Sequence, residues 1–301
     1  MTELQSIWIT SRQELADAIR SRRAAVILIL YLAGSLLACN GFVTVLHKLE
    51  VQLADMLKIS AGASPGVVMG ALWENHEFQR MVRHLVGDAE VARQLLSVPP
   101  LALVYGWLAF TFTPILVMLS ASGRIAEETA SNSVRFVIVR SSRMAWVLGK
   151  FTGQALLLIL ALLLSAVGAW CIGRFRLTGF AQGPAAAAMM IYAAKAWIYS
   201  LVFVGLALGL SQLTRRPYLS MALGFLTWLG TTFLALAAGH YLKQDGGSPA
   251  WELLRQMLPQ GHRLDLWRTD APHLVVAILF LTSLAFVYLF AGFAWFRRRD
   301  L

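Results

Sequence analysis

Six long apolar stretches, a charge content of only 14%, and basic residues gathered in alternate loops predict an all-α membrane protein. The expected architecture is six transmembrane helices preceded by an N-terminal amphipathic interfacial helix, with both termini cytoplasmic. Of the 301 residues, 58% are hydrophobic, and the mean hydropathy is +0.63. Soluble domains run nearer half apolar and a quarter charged, so an ordinary cytosolic enzyme is excluded. Ten Trp, seven Tyr and sixteen Phe suit anchoring at two membrane interfaces. Two cysteines, Cys39 and Cys171, build neither a disulfide framework nor a four-ligand zinc site.

The spans are placed at about 24–45, 99–122, 146–172, 187–212, 218–239 and 273–296, each long enough to cross a hydrocarbon core and free of Asp and Glu. Segments 1–23, 123–150, 213–217 and the tail after 296 carry a summed charge of +8, whereas 46–97, 173–186 and 240–272 carry +1. Lys195 supplies the rest of the net +10. The excess charge therefore sets topology rather than a nucleic-acid surface, and no nucleic-acid partner is expected. The first span superficially resembles a lipoprotein signal ending at Cys39, but Leu37 is a poor residue there and acids precede the run, so it reads as a retained span.

Between the spans the sequence is also patterned. In 1–23, Leu4, Trp8, Leu15 and Ile19 recur at helical spacing, and Ser11-x-x-Glu14 reads as a capping box before 12–22. The insertion 46–97 is too long for a plain loop. One stripe runs through Leu46, Leu49, Leu53 and Met56, another through Phe78, Met81, Val82 and Leu85, with a break at 62–66 and a third short helix after Asp88. Such helices need a cover, so their stripes are expected to pack on each other, on a partner subunit or on an envelope protein. Segment 240–272 reads as a re-entrant or interfacial helix at the outer face. Pro114 is expected to kink the second span, and Gly205-x-x-x-Gly209 to pack closely within the chain.

Chemistry is sparse. His76-Glu77 has Arg80 where a zinc-protease motif needs its second histidine, and Gly149-Lys150 lacks the rest of a phosphate loop. No nucleophile elbow and no carboxylate pair lie in the spans. Lys195, with Asn40 as an uncharged polar companion, is the candidate pathway residue within the spans, a structural role being favoured for Lys195. No catalytic residue, metal site or cofactor is expected in this chain.

The stretch 124–150 is specific. Arg124-Ile125-Ala126-Glu127-Glu128 follows the second span, and Arg140-Ser141-Ser142-Arg143 leads through Trp146 to Gly149-Lys150 opening the third. The chain ends Phe296-Arg297-Arg298-Arg299-Asp300-Leu301. This order resembles the type-2 ATP-binding cassette exporter permeases along nearly the whole chain. Two positions depart from the family pattern: Arg140 stands where Pro is common, and Ser131 or Asn132 where Gly is common. Among relatives with sizeable outer loops, the sequence looks most like permeases of copper-enzyme maturation systems.

The resemblance implies a multi-pass inner (plasma) membrane subunit that pairs with a second copy or a paralogue. It also implies two separate ATPase subunits, which would hold ATP and magnesium. The 123–144 loop is then the coupling element, with Glu127, Glu128 and Arg143 at its charged rim and Phe136 or Ile138 as its apolar anchor. A subunit that transmits force to an envelope protein without transporting anything is the alternative reading, because fold does not fix function.

Overall fold

The computed structural model describes residues 2–57, 80, 89–139, 141–177, 180–244, 248–268 and 270–298. Among these, every regular element is helical: α1 Glu3–Arg20, α2 Arg22–Leu57, α3 Ala89–Leu96, α4 Pro100–Ala121, α5 Arg124–Ala130 and α6 Val134–Ile138. There follow α7 Arg143–Arg176, α8 Gln182–Ser211, α9 Pro217–Gln244, α10 Pro249–Met257, α11 Arg263–Trp267 and α12 Ala271–Arg297. Six helices are long and apolar enough to cross a membrane, and they match the six expected spans, 99–122 and 187–212 overrunning theirs by no more than one residue at either end. The protein is an all-α, six-span membrane protein.

Hydrophobicity locates the spans, but packing decides which sit inside. Helix α8 is the axis of the bundle, 78% of its most apolar window being buried, and α4 follows at 67%; the corresponding figure for α9 is 11%. Lipid is as apolar as Leu, so small residues rather than hydrophobic force bring spans together. A Cβ on Gly205 would overlap the Ala285 carbonyl, and one on Gly209 the Tyr288 carbonyl, so the Gly205-x-x-x-Gly209 face packs on α12 within the chain as its spacing predicts. Helix α4 runs through the buried Pro114 as one element.

Helix α1 corrects one expectation. It starts at Glu3, where Thr2 and Gln5 form the capping box: Gln5 N–H donates to Thr2 Oγ1 at 3.4 Å and Thr2 N–H to Gln5 Oε1 at 3.1 Å. Ser11 and Glu14 are mid-helix and buried, so they cap nothing. Leu4, Trp8 and Ile19 of the expected stripe are exposed, and the opposite face is the one that packs.

At the end of the bundle away from the termini, α2 continues to Leu57, so Leu46 to Met56 extend the first span instead of forming a separate helix. Helix α3 begins one residue after Asp88, as expected, and buries Val91 and Ala92. The break at 62–66 and the stripe Phe78–Leu85 lie outside the described residues. The segment 249–267 folds back between spans: Gln260 Nε2 donates to Thr231 and Thr232, halfway along α9, at 3.0 and 3.1 Å. Trp267 packs against Tyr192 and Phe110, with ring centroids 4.8 and 5.5 Å apart, so this segment is packed into the bundle.

Candidate coupling site

Helix α1 lies on the first half of α7. Ser6, Thr10, Ser11, Glu14 and Ala18 recur every three or four residues and form its buried face. A polar face is buried here because α7 offers matching groups and room. A Cβ on Gly149 would come within 2.5 Å of Thr10 Cβ, and one on Gly153 within 2.7 Å of Glu14 Cβ. The two glycines therefore let the backbones approach, and Ser11 Oγ reaches the Gly149 carbonyl at 3.1 Å.

This approach seats Glu14 deep in the junction. Its carboxylate accepts from Lys150 Nζ through Oε2 and from Gln154 Nε2, at 2.7 Å, through Oε1; Arg124 Nε stands 3.6 Å from Oε1. Lys150 also donates to Glu128 Oε1. The side chains of Glu14 and Lys150 are 2% and 6% exposed, and that of Glu128 is 28% exposed. Two carboxylates, one ammonium and one guanidinium thus balance inside a nearly dry pocket, with an amide filling a remaining lone pair. Such an arrangement is cohesive rather than reactive, because its acceptor sites are engaged by cations and amide donors.

The loop after α4 is wired into this cluster. Arg124 and Glu128 stand one helical turn apart on α5 and reach α1 and α7. Ile125 and Ala126 are fully buried, and the Ala126 N–H donates to Ser211 Oγ at 3.0 Å, tying α5 to the end of α8. Ser220 of α9 donates to the Ser122 carbonyl beside it. Helix α5 ends in a turn through Asn132, whose φ is 57°, with Ser131 and Ser133 hydroxyls donating to the Glu128 carbonyl at 3.2 Å. Asn is among the residues best able to take that left-handed conformation, which accounts for its standing where Gly is common.

Beyond the turn, Val134 inserts into the core while Phe136 and Val139 are 80% and 86% exposed. Ser142 caps α7 by accepting the Ala145 N–H at 3.1 Å. Trp146 stacks on Phe296 at 5.8 Å, both rings buried, and Arg143 Nη1 donates to the Arg297 carbonyl at 3.1 Å. The motifs at 140–150 and at the C-terminus, distant in sequence, are one contact in space.

Of the residues singled out from sequence, Glu128 is bonded to Lys150 at the junction, and Arg143 reaches the Arg297 carbonyl. Glu127 lies on α5 in the same turn region, Phe136 is exposed on α6, and the side chain of Ile138 lies outside the described residues. Lys195 donates to the Arg268 carbonyl at 2.9 Å, holding the end of α11, and Asn40 Oδ1 accepts from Arg176 Nη1. Neither lines the apolar cavity of about 460 Å³ between α2 and α4, whose walls include Tyr31, Ser35, Trp107 and Phe112. Sequence reasoning missed Glu14, Gly153 and Gln154. The available signal was Gly149-x-x-x-Gly153 overlaid on Lys150-x-x-x-Gln154, a small face beside a polar face on one helix.

The loop after α4 is thus bonded into α1, α7, α8 and α9 of an all-helical six-span bundle. The sequence model of the family described as ABC-2 family transporter protein matches residues 8–301, and the chain belongs to that family. It is therefore an ABC-type permease, a membrane domain of a kind that works with ATPase subunits in a membrane complex. No curated protein matches the chain.

Proposed function

We propose that this chain is the permease subunit of an ATP-driven exporter in the inner membrane. Two separate ATPases, holding ATP and magnesium, dock on α5 and α6 from the cytoplasm, and a second copy or a paralogue completes the complex. One observation carries the reading. Phe136 stands almost bare on a short helix, while the helix before it is fixed by ion pairs and buried backbone hydrogen bonds. A large exposed aromatic on a braced element is the kind of anchor a protein interface is built around. Closure of the ATPases would displace α5 and α6, and the bonds Glu128–Lys150, Arg124–Glu14 and Ala126–Ser211 would pass that displacement to α7, α1 and α8.

The basic end of the bundle faces the cytoplasm by the charge bias of its loops. In a variant lacking Cys39 and Cys171, Ser131→Cys and Arg135→Cys should stay unlabelled by an impermeant maleimide in intact cells, whereas Ser97→Cys and Gln256→Cys label. An ATPase should co-purify with the chain in mild detergent. Outside labelling of Ser131→Cys, or purification with no ATPase, would refute the reading.

A further inference from the structure

The segment 249–267 carries a cation to the middle of the bundle. Arg263 Nη2 donates to Thr111 Oγ1 at 2.9 Å, and Thr111 lies halfway along α4. Among the described residues that hydroxyl is its one hydrogen-bond partner, and no carboxylate lies within ion-pair distance. A guanidinium has five donors, and a neutral hydroxyl satisfies one of them without balancing the charge. Arginines at this depth are expensive, and they persist where they meet a water-filled path or an anion.

A second group points the same way. The hydroxyls of Thr231 and Thr232 both donate to the Trp228 carbonyl, at 3.0 and 2.8 Å, so towards Gln260 they act as acceptors. That fixes the Gln260 amide with its NH₂ on the threonines and its Oε1 turned away. Gln260 Oε1 is shut off from solvent and has no hydrogen-bond partner among the described residues. A buried orphan acceptor is unfavourable unless something donates to it. Gln260 and Arg263 are three residues apart across one turn, between α4 and α9.

We propose that Arg263 and Gln260 form a binding site for an anionic group of the transported substrate, a phosphate or carboxylate that also carries an O–H or N–H. Arg263 takes the negative oxygens and Gln260 Oε1 accepts the hydrogen. The proposal deepens the permease reading and rests on it for the word transported. Binding itself needs no ATPase, so loss of the site and loss of ATPase coupling are seen in separate experiments.

The test uses the full chain in dodecyl maltoside, with three probes: dodecyl phosphate, inorganic phosphate and dodecyltrimethylammonium. Binding is read as a saturable rise in the thermal unfolding midpoint. Dodecyl phosphate should give that rise and the ammonium should not. A rise with inorganic phosphate as well marks a free anion as sufficient, and its absence marks an amphiphile; each supports the site. Arg263→Gln should raise the half-saturating concentration at least tenfold, Arg263→Lys by less. Gln260→Glu, which keeps the shape but repels the probe, should match Arg263→Gln and covers the case in which that variant does not fold. Thr111→Val breaks the hydrogen bond while sparing Arg263, and binding should stay within twofold of the parent. The proposal is overturned if neither anion gives a saturable rise, if Arg263→Gln binds undiminished, or if Thr111→Val loses binding as fully as Arg263→Gln.

Discussion

Lys150 and Glu14, 136 positions apart in the chain, form a charged hydrogen bond in a site almost closed to water. Removing one member of such a pair strands the other charge. Lys150→Met should therefore cost on the order of 3 kcal/mol, since Glu14 and Glu128 are both left without their shared cation. The loss should shrink when Glu14→Gln is added. A double-mutant cycle on the thermal midpoint in detergent reads the coupling; strictly additive losses would show that the two side chains do not interact.

Glycine at 153 is required by proximity alone. Gly153→Ala places a methyl against Glu14 Cβ, at 2.7 Å, and the Ser11 carbonyl, at 3.2 Å, and should cost about 1–3 kcal/mol while loosening α1 from α7. Limited proteolysis after Arg20 measures the loosening. Gly34→Ala is the control, because among the described residues nothing lies within 4 Å of its would-be Cβ, and it should cleave at the parental rate.

The turn after α5 depends on a left-handed residue. Asn132→Gly should be close to neutral, whereas Asn132→Val should lose about 1–2 kcal/mol and disorder the start of α6. Protease sensitivity at Arg135 checks this. Equal sensitivity of the two variants would remove the backbone conformation as the cause.

His262 should make the segment 249–267 pH-sensitive. Its Nδ1 faces Asp265 Oδ2 at 3.2 Å and its Nε2 the Gln256 carbonyl at 2.8 Å, so both nitrogens meet acceptors, an arrangement that favours the charged ring. The hydrogen bond to Asp265 raises His262 above its usual 6.5, opposed by burial and by Arg255, and the same hydrogen bond lowers Asp265 below its usual 3.8. A raised histidine stabilises fully below its unfolded value and loses that contribution as pH rises through its folded value. The lowered aspartate contributes above its own unfolded value. The pair is thus at its strongest between the two usual values and weakens in alkali. The unfolding midpoint should fall from about pH 6 to about pH 8.5 in the parent and change less in His262→Gln. A parallel fall in both would exclude His262 as the titrating group.

The parts of the fold that hydrophobicity dictates were legible in the sequence. The six expected spans match the six long helices to within a residue or fall inside them, and α7 exceeds its expected limits because Arg143, Arg174 and Arg176 extend it beyond the apolar run. Helix α3 was legible from Asp88, and the Gly205–Gly209 contact from its spacing. What failed was local pattern without partner knowledge. Ser11-x-x-Glu14 and Thr2-x-x-Gln5 fit the same capping rule, and only the burial of the first on α7 tells them apart. The contacts of Glu128 with Lys150, of Lys195 with the Arg268 carbonyl and of Asn40 with Arg176 were likewise not legible. Polar groups in spans are placed by partners distant in sequence, and one sequence does not reveal those pairings.

The central claim is that an ATPase docks on α6 through Phe136. Phe136→Ala should weaken association by on the order of 2 kcal/mol, because a central aromatic dominates such an interface. Glu127→Ala should do less, as a charge at the rim is screened. The direct measurement is capture of the co-purifying ATPase by membranes carrying Phe136→Ala together with Ile138→Ala, with the chain's insertion verified in the same membranes. Capture should fall to background while the protein remains inserted at the parental level. Undiminished capture by that double variant would contradict the account and place the ATPase elsewhere.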